Sequence, residues 1–253
     1  MNKTTLISVC DYNYINNFKN YVISYILHEV NKEIIELNHF FIYQNENEIK
    51  EFDENFGYLI KYNSIIIHKI KFPEKYKYKK KIFPCHYRFT AIKKLIDKYK
   101  TLIYNDVDAL LNKSINLNLI NKYNIYLGLR YNINKKKEII NNNFKISTKL
   151  RKRKTSRILS GVIILNNSDE SKRFINMIIE RYKLLNDSNK ICWYSDQLIL
   201  DNIFFSHSVN KLKIGTIPLS YFDFHMKPNT YLHLSKGNTY PTTREKWVDK
   251  CID

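Results

Sequence analysis

Short apolar runs alternate along this chain with stretches whose apolar residues recur at helical spacing. Thr4 to Cys10 predicts a first buried strand, closed by Asp11-Tyr12-Asn13-Tyr14. Phe18, Tyr21, Val22, Tyr25 and Ile26 then fall on one face of a helix. His39 to Tyr43 and Ile65 to Ile67 predict the second and third strands, and His86 to Tyr99 a helix with Ile92, Leu95, Ile96 and Tyr99 on one side. Next comes Thr101 to Leu110, in which Leu102, Ile103 and Tyr104 form an apolar run closed by two aspartates, Asp106 and Asp108. Asn124 to Leu129 predicts another strand. So does Ile158 to Leu165, where Gly161 marks a close approach. Asn167 and Glu170 have the spacing of a capping box, opening a helix with Ile175, Ile178, Ile179 and Tyr182 as its face. Ser195 to Leu200 begins a shorter helix, and Tyr231 to Leu234 is a last strand before Ser235-Lys236-Gly237-Asn238.

Strand and helix alternate through the first part of the chain, which predicts an α/β fold with a parallel, nucleotide-binding type of sheet. No internal repeat is visible. One domain is expected over 1–253: a nucleotide-binding half at 1–130, a basic mobile loop at 131–157, and a half at 158–253 that completes the site.

Composition narrows this picture without redirecting it. A length of 253 residues, 44% of them hydrophobic, suits one sizeable core, and 5 Gly with 5 Pro leave little for a flexible linker. No apolar run reaches membrane-span length, and the N-terminus lacks a signal-peptide core. The expected location is therefore cytoplasmic, with peripheral contact at the inner membrane face. Cys10, Cys85, Cys192 and Cys251 are scattered with no Cys/His cluster, which argues against zinc and for free thiols. The net charge of +18 suits an anionic partner, but an AT-rich genome yields the same excess of Lys, Asn and Ile. Basic residues are spread along the chain apart from patches at Lys71 to Lys81 and Ser147 to Arg157. A basic nucleic-acid-binding protein is the remote alternative, and nucleic acid is not the expected partner.

The chemistry centres on Asp106 and Asp108. Carboxylates at the carboxyl end of a buried strand stand where open α/β sheets place ligands. Paired hard oxygen donors suit a divalent cation bound together with a phosphate-bearing substrate. The competing reading is a surface turn with two solvated aspartates.

Six blocks in order extend that reading: Val9 to Tyr14, His86-Tyr87-Arg88-Phe89, Ile103 to Asp108, Ser160 to Asn166, Ser195-Asp196-Gln197, and His233 with Lys236 and Gly237. Together they resemble the metal-dependent GT-A glycosyltransferases, most of all glycosyltransferase family 8, the glycogenin and lipopolysaccharide galactosyl- and glucosyltransferase type. The resemblance runs from about Leu6 to Gly237. It implies a GT-A fold, a mostly parallel mixed sheet flanked by helices. The implied reaction moves a hexose with retention from a nucleotide-diphosphate sugar, UDP-linked, to a saccharide or glycolipid acceptor in surface polysaccharide or lipopolysaccharide synthesis. Mn²⁺ or Mg²⁺ is the implied cofactor, with Asp106, Asp108 and His233 as its ligands. Cys10, Asp11, Asn13, Tyr14, Arg88, Asp106, Ser160, Gly161, Lys236 and Gly237 would bind the donor, and Asp196 and Gln197 would be catalytic. The other readings are core packing for Tyr14, a surface cation for Arg88 and a helix N-cap for Asp196. The chain departs from the family pattern at Leu159, where family 8 has Asn, at Asn105, and in the closing block, where the glycine falls one residue late. An inverting transferase, with Asp196 as base, and a nucleotidyltransferase on the same metal site stay open as alternatives.

Overall fold

The computed structural model describes residues 3–29, 35–73, 82–129, 158–188, 191–192, 195–206, 211–217, 221–223 and 230–234. Its first strand, β1 (Thr4–Asp11), leads into helix α1 (Ile15–His28), then β2 (Ile35–Tyr43), α2 (Glu46–Phe56), β3 (Ile65–Lys71) and α3 (Phe83–Leu95). After α3 come β4 (Thr101–Asn105), β5 (Ala109–Leu111), β6 (Ile125–Leu129) and β7 (Ile158–Asn166). Helices α4 (Asp169–Asp187) and α5 (Ser195–Phe205) and strands β8 (Ile214–Thr216), β9 (Phe222–Asp223) and β10 (Leu232–Leu234) complete the described order.

Burial on both faces explains why β1 reads as a nearly unbroken apolar run. Leu6 and Cys10 pack with Phe18, Tyr21, Val22 and Tyr25 of α1, while Ile7 and Val9 turn to the layer of α3, α4 and α5. Each phenylalanine as fully buried as Phe18 contributes about 1.5–3 kcal/mol. Among the described residues the main sheet has seven strands, in the order β3-β2-β1-β4-β7-β6-β8. Strands β3, β2, β1 and β4 run parallel, β7 is antiparallel to both β4 and β6, and β6 is parallel to β8. This is the expected mixed, mostly parallel sheet flanked by helices. A smaller sheet has the strand order β5-β10-β9.

That topology creates the site. The chain leaves β1 towards β2 and β3, then returns to lay β4 on the other side of β1. The carboxyl ends of β1 and β4 therefore flank a switch point, where the outgoing connections part and leave a crevice.

The observed elements depart from the predicted ones in several places. Helix α2 was not expected, because only Phe52 and Phe56 of it are buried and its pattern is mostly polar. Its signal is the Asn45-to-Glu48 spacing: Asn45 Oδ1 accepts the Glu48 N–H at 3.1 Å, and Glu48 Oε2 accepts the Gln44 N–H at 2.6 Å. Helix α3 starts at Phe83 with Pro84 in its first turn and ends at Leu95, so Ile96 and Tyr99 are buried beyond its end. The capping box at Asn167 is corrected to Ser168, whose Oγ accepts the Ser171 N–H at 3.1 Å. Glu170 is instead held by Asn124 Nδ2 and the Lys213 N–H. Strand β3 runs on to Lys71, and β10 begins at Leu232. The basic stretch 131–157, residues 74–81 of the first patch, and the tail from Thr242 lie outside the described residues. Among the described residues no helix is long and apolar enough to cross a membrane, and Cys10, Cys85 and Cys192 are free thiols.

One irregularity matters for the site. Leu127 pairs with Ile163 but its neighbour Gly128 pairs with Leu159, so Ser160, Gly161 and Val162 bulge out of the β6–β7 ladder. A Cβ on Gly128 would stand 2.8 Å from Val162 Cγ1 and 3.3 Å from Leu159 Cβ. Close approach is therefore required on the strand opposite the predicted Gly161. Gly128→Ala should destabilise the fold by about 1–3 kcal/mol through overpacking, read as a lowered urea midpoint at unchanged slope. An unchanged midpoint would mean the bulge relaxes freely.

Candidate active site

Each strand end contributes a different chemistry to the switch point. Beyond β1 the chain makes a short 3₁₀ turn, Tyr12–Tyr14, capped by Asp11, whose Oδ1 accepts the Asn13 N–H at 3.1 Å. Burial raises the Asp11 carboxyl above the usual carboxylate range, and the bonds from Asn13 pull it back. Cys10 is buried with Sγ 3.5 Å from His39 Nε2, and burial, aided by Asp11, pushes its thiol well up. Tyr14 is 51% exposed at the mouth, so the core-packing reading fails. Its phenol is raised first by partial burial and then by Asp11 and Asp108, carboxylates that share the mouth.

Below them, Asp106 follows β4 directly. Its N–H donates to Gly161 O at 3.0 Å, so the bulge in β7 anchors the start of the Asp-Val-Asp turn. Asp106 Oδ1 accepts the Tyr104 O–H at 2.8 Å and lies 3.1 Å from Arg88 Nη1. Arg88 is no surface cation. It is 6% exposed, its Nη1 donates to Ser160 O at 2.8 Å, and it stands 3.5 Å from Asp196 Oδ2 and 5.0 Å from the Tyr104 ring centroid. Burial works against its charge, but Asp106, Tyr104 and Asp196 outweigh that and hold it well above its ordinary value. Asp196 lies in the first turn of α5, 3% exposed, with Oδ1 accepting the Gln197 N–H at 2.7 Å. It thus serves the helix start and the charge cluster together.

These groups open onto one cleft of about 570 Å³, within the ~300–1,000 Å³ usual for ligand pockets. Cys10, Asp11, Asn13 and Tyr14 line one wall, Asp106 and Asp108 the floor, and Arg88, Ser160, Asp196 and Gln197 the other side. Ten of the predicted site residues therefore meet here, drawn from β1, α3, β4, β7 and α5. Gly161 takes part through its carbonyl. Lys236 and Gly237 lie outside the described residues. His233 is buried and does not line the cleft. It pairs with Leu110 in the antiparallel β5–β10 ladder, which sets it diagonally across from Asp108, two residues before Leu110.

The sequence reading missed Tyr104, Pro84 and Cys85. Periodicity held the signal for each. Tyr104 precedes Asp106 by two positions, the repeat of one strand face. Pro84 and Cys85 precede Arg88 by four and three, on its helix face. Both line the cleft, and burial raises the Cys85 thiol despite the opposing pull of Arg88.

Among the described residues no three His, Cys, Asp or Glu side chains are drawn together as a ready-made metal cage. Mg²⁺ and Mn²⁺ do not require one. They are commonly held by one or two carboxylates plus substrate phosphates, and Asp106 and Asp108 at the cleft floor fit that donor set.

No family model matches the chain, and no curated protein sequence matches it. Solved structures do resemble it. The galactosyltransferase LgtC, in complex with donor and acceptor sugar analogues, has a TM-score of 0.63 at 12% identity, over 97% of this chain and 94% of that one. The apo-form glycosyltransferase GlyE of Streptococcus pneumoniae TIGR4 has a TM-score of 0.57 at 13% identity, over 98% of this chain. The match spans 59% of the GlyE chain. The expected GT-A fold is thus the fold of this chain, and its chemistry rests on the site.

Proposed function

We propose that this protein is a metal-dependent glycosyltransferase that moves a hexose from a nucleotide-diphosphate sugar, UDP-linked, to a saccharide or glycolipid acceptor. The observation that carries the reading is the meeting of Asp11, Asp106, Asp108, Arg88 and Asp196 in one cleft at the switch point of the sheet. Nothing about a basic, solvated surface accounts for an arginine buried between two carboxylates.

Asp11 and Asn13, which line the cleft at the end of β1, would hydrogen-bond base and ribose, and the exposed Tyr14 ring offers a stacking face. Asp106 and Asp108, the two carboxylates of the cleft floor, would hold the cation together with the donor's phosphates. When bound, Mn²⁺ or Mg²⁺ supplies Lewis-acid stabilisation to the departing nucleoside diphosphate. Arg88 and Asp196 would face the donor sugar, and Arg88, between Asp106 and Asp196, keeps the two carboxylates from repelling each other. Retention is supported by the commitments of Asp196. With one oxygen on its own helix N–H and the other beside Arg88, it is a weak candidate for a general base. Same-face attack, with the leaving phosphate as base, makes no such demand on it. Surface glycan synthesis is the proposed setting, by analogy of fold.

A thermal-shift screen tests this with UDP, GDP, CDP and their sugars, each with Mn²⁺ and with EDTA. A ligand at about 100 times its dissociation constant adds roughly 2.7 kcal/mol to stability. Stabilisation by a uridine nucleotide with Mn²⁺ alone is the expected result. Stabilisation by none of them, with salt-sensitive binding to RNA or DNA in its place, would overturn the reading.

A further inference from the structure

Tyr104 is a buried group beside the cleft to which the proposed chemistry gives no task. It is 1% exposed at the end of β4, and its ring stands 5.0 Å from the Arg88 guanidinium carbon. Its O–H donates to Asp106 Oδ1 at 2.8 Å. Arg88 Nη1 approaches the same oxygen at 3.1 Å. Two donors therefore converge on one oxygen of one carboxylate, and they come from different elements.

That arrangement has a mechanical consequence. Left alone, a buried arginine and a carboxylate prefer the two-pronged pair, both oxygens facing both guanidinium nitrogens. Such a pair would rotate Asp106 about its χ2 and bring both oxygens round to Arg88. Tyr104 opposes this rotation, because its short, directional bond holds Oδ1 on the strand side while the Asp106 N–H is tied to Gly161 O. Arg88 is itself shared out to Ser160 O and Asp196 Oδ2, which keeps it from following the carboxylate.

We propose that Tyr104 is a positioning residue that locks the rotation of the Asp106 carboxylate, so that this aspartate presents itself to a divalent cation at the cleft floor instead of collapsing onto Arg88. The inference rests on the proposed cation site. Tyr104 touches neither the cation nor the sugar in this assignment and acts only through Asp106.

The test uses the full chain and its Tyr104→Phe variant, which keeps the ring and loses only the O–H. Mn²⁺ is titrated in the presence of saturating UDP, with binding read by the electron paramagnetic resonance of free Mn²⁺ and separately by thermal shift. Loss of a hydrogen-bond partner behind a metal ligand weakens metal affinity by about 10–100-fold. A rise of about 10-fold or more in the Mn²⁺ dissociation constant, with the cation-free urea midpoint close to that of the parent, is the expected result. Equal Mn²⁺ affinity in both proteins would overturn the role of Tyr104 and leave the cation site standing. No Mn²⁺ binding by the parent chain would remove the cation site and this inference with it. Failure of Tyr104→Phe to fold without cation would also overturn it, making the bond a folding element.

Discussion

Asp108→Asn should abolish sugar transfer while the protein stays folded. Asparagine matches aspartate in shape but carries no charge, so the cleft floor loses one of its two anionic donors. Removing one preorganised electrostatic partner of a transition state costs about 10²–10³-fold in rate, and loss of a cation ligand lies at the upper end. Asp108 lies in the turn between β4 and β5, outside the hydrogen-bonded ladder, so its replacement should change stability by no more than about 1 kcal/mol. Steady-state transfer assays over a range of Mn²⁺, paired with a urea melt, check both halves. Full activity in the variant at low Mn²⁺ would remove Asp108 from the site. A melt lowered by several kcal/mol would reassign it to the fold.

Arg88→Ala should have the larger effect on stability. The Arg88 side chain is 7% exposed between Asp106, whose side chain is 20% exposed, and Asp196, at 4%. Truncating it leaves two carboxylates facing each other with no counter-charge. Breaking a buried pair from one side costs about 3–5 kcal/mol, because the abandoned charge keeps its desolvation penalty. The loss should exceed that of Arg88→Met, which fills the volume but also abandons the carboxylates. The double variant Arg88→Met with Asp196→Asn should recover part of it. Lysine at this position should rescue poorly, since one ammonium cannot reach Ser160 O and two carboxylates in the directions a planar fork does. Denaturant melts of the four proteins decide it. A loss under about 1 kcal/mol in Arg88→Ala would mean that the cluster is wet enough to screen itself.

Most of the architecture is legible in the sequence. Strands β1, β4 and β7 announce themselves as apolar runs because both of their faces are buried, and α1 and α4 announce themselves through one apolar face. Helix α2 was not legible because two phenylalanines anchor eleven mostly polar residues, and only its cap spoke for it. At α4 the cap was displaced by one position. Asn167 N–H is already committed to Lys100 O, and Glu170 is drawn to Asn124 and Lys213, just ahead of β6 and β8, neither of which spacing alone reveals. For the candidate site the residue types were readable, whereas several of their circumstances were not. Arg88 could be named but not its burial, and Tyr104 looked like one more strand residue.

What the chain dictates locally is which segments become strands or helices, and that a pair of aspartates ends one apolar strand. Those properties depend on residues a few positions apart, so periodicity carries them. The order β3-β2-β1-β4 is another matter, since it arises from packing among distant segments, and it alone brings Asp11 and Asp106 to one edge. The state of Arg88 belongs to the same class. Its charge is sustained by Asp106 and Asp196, which reach it from β4 and α5, and the strength of that coupling depends on distance and local dielectric, not on separation along the chain.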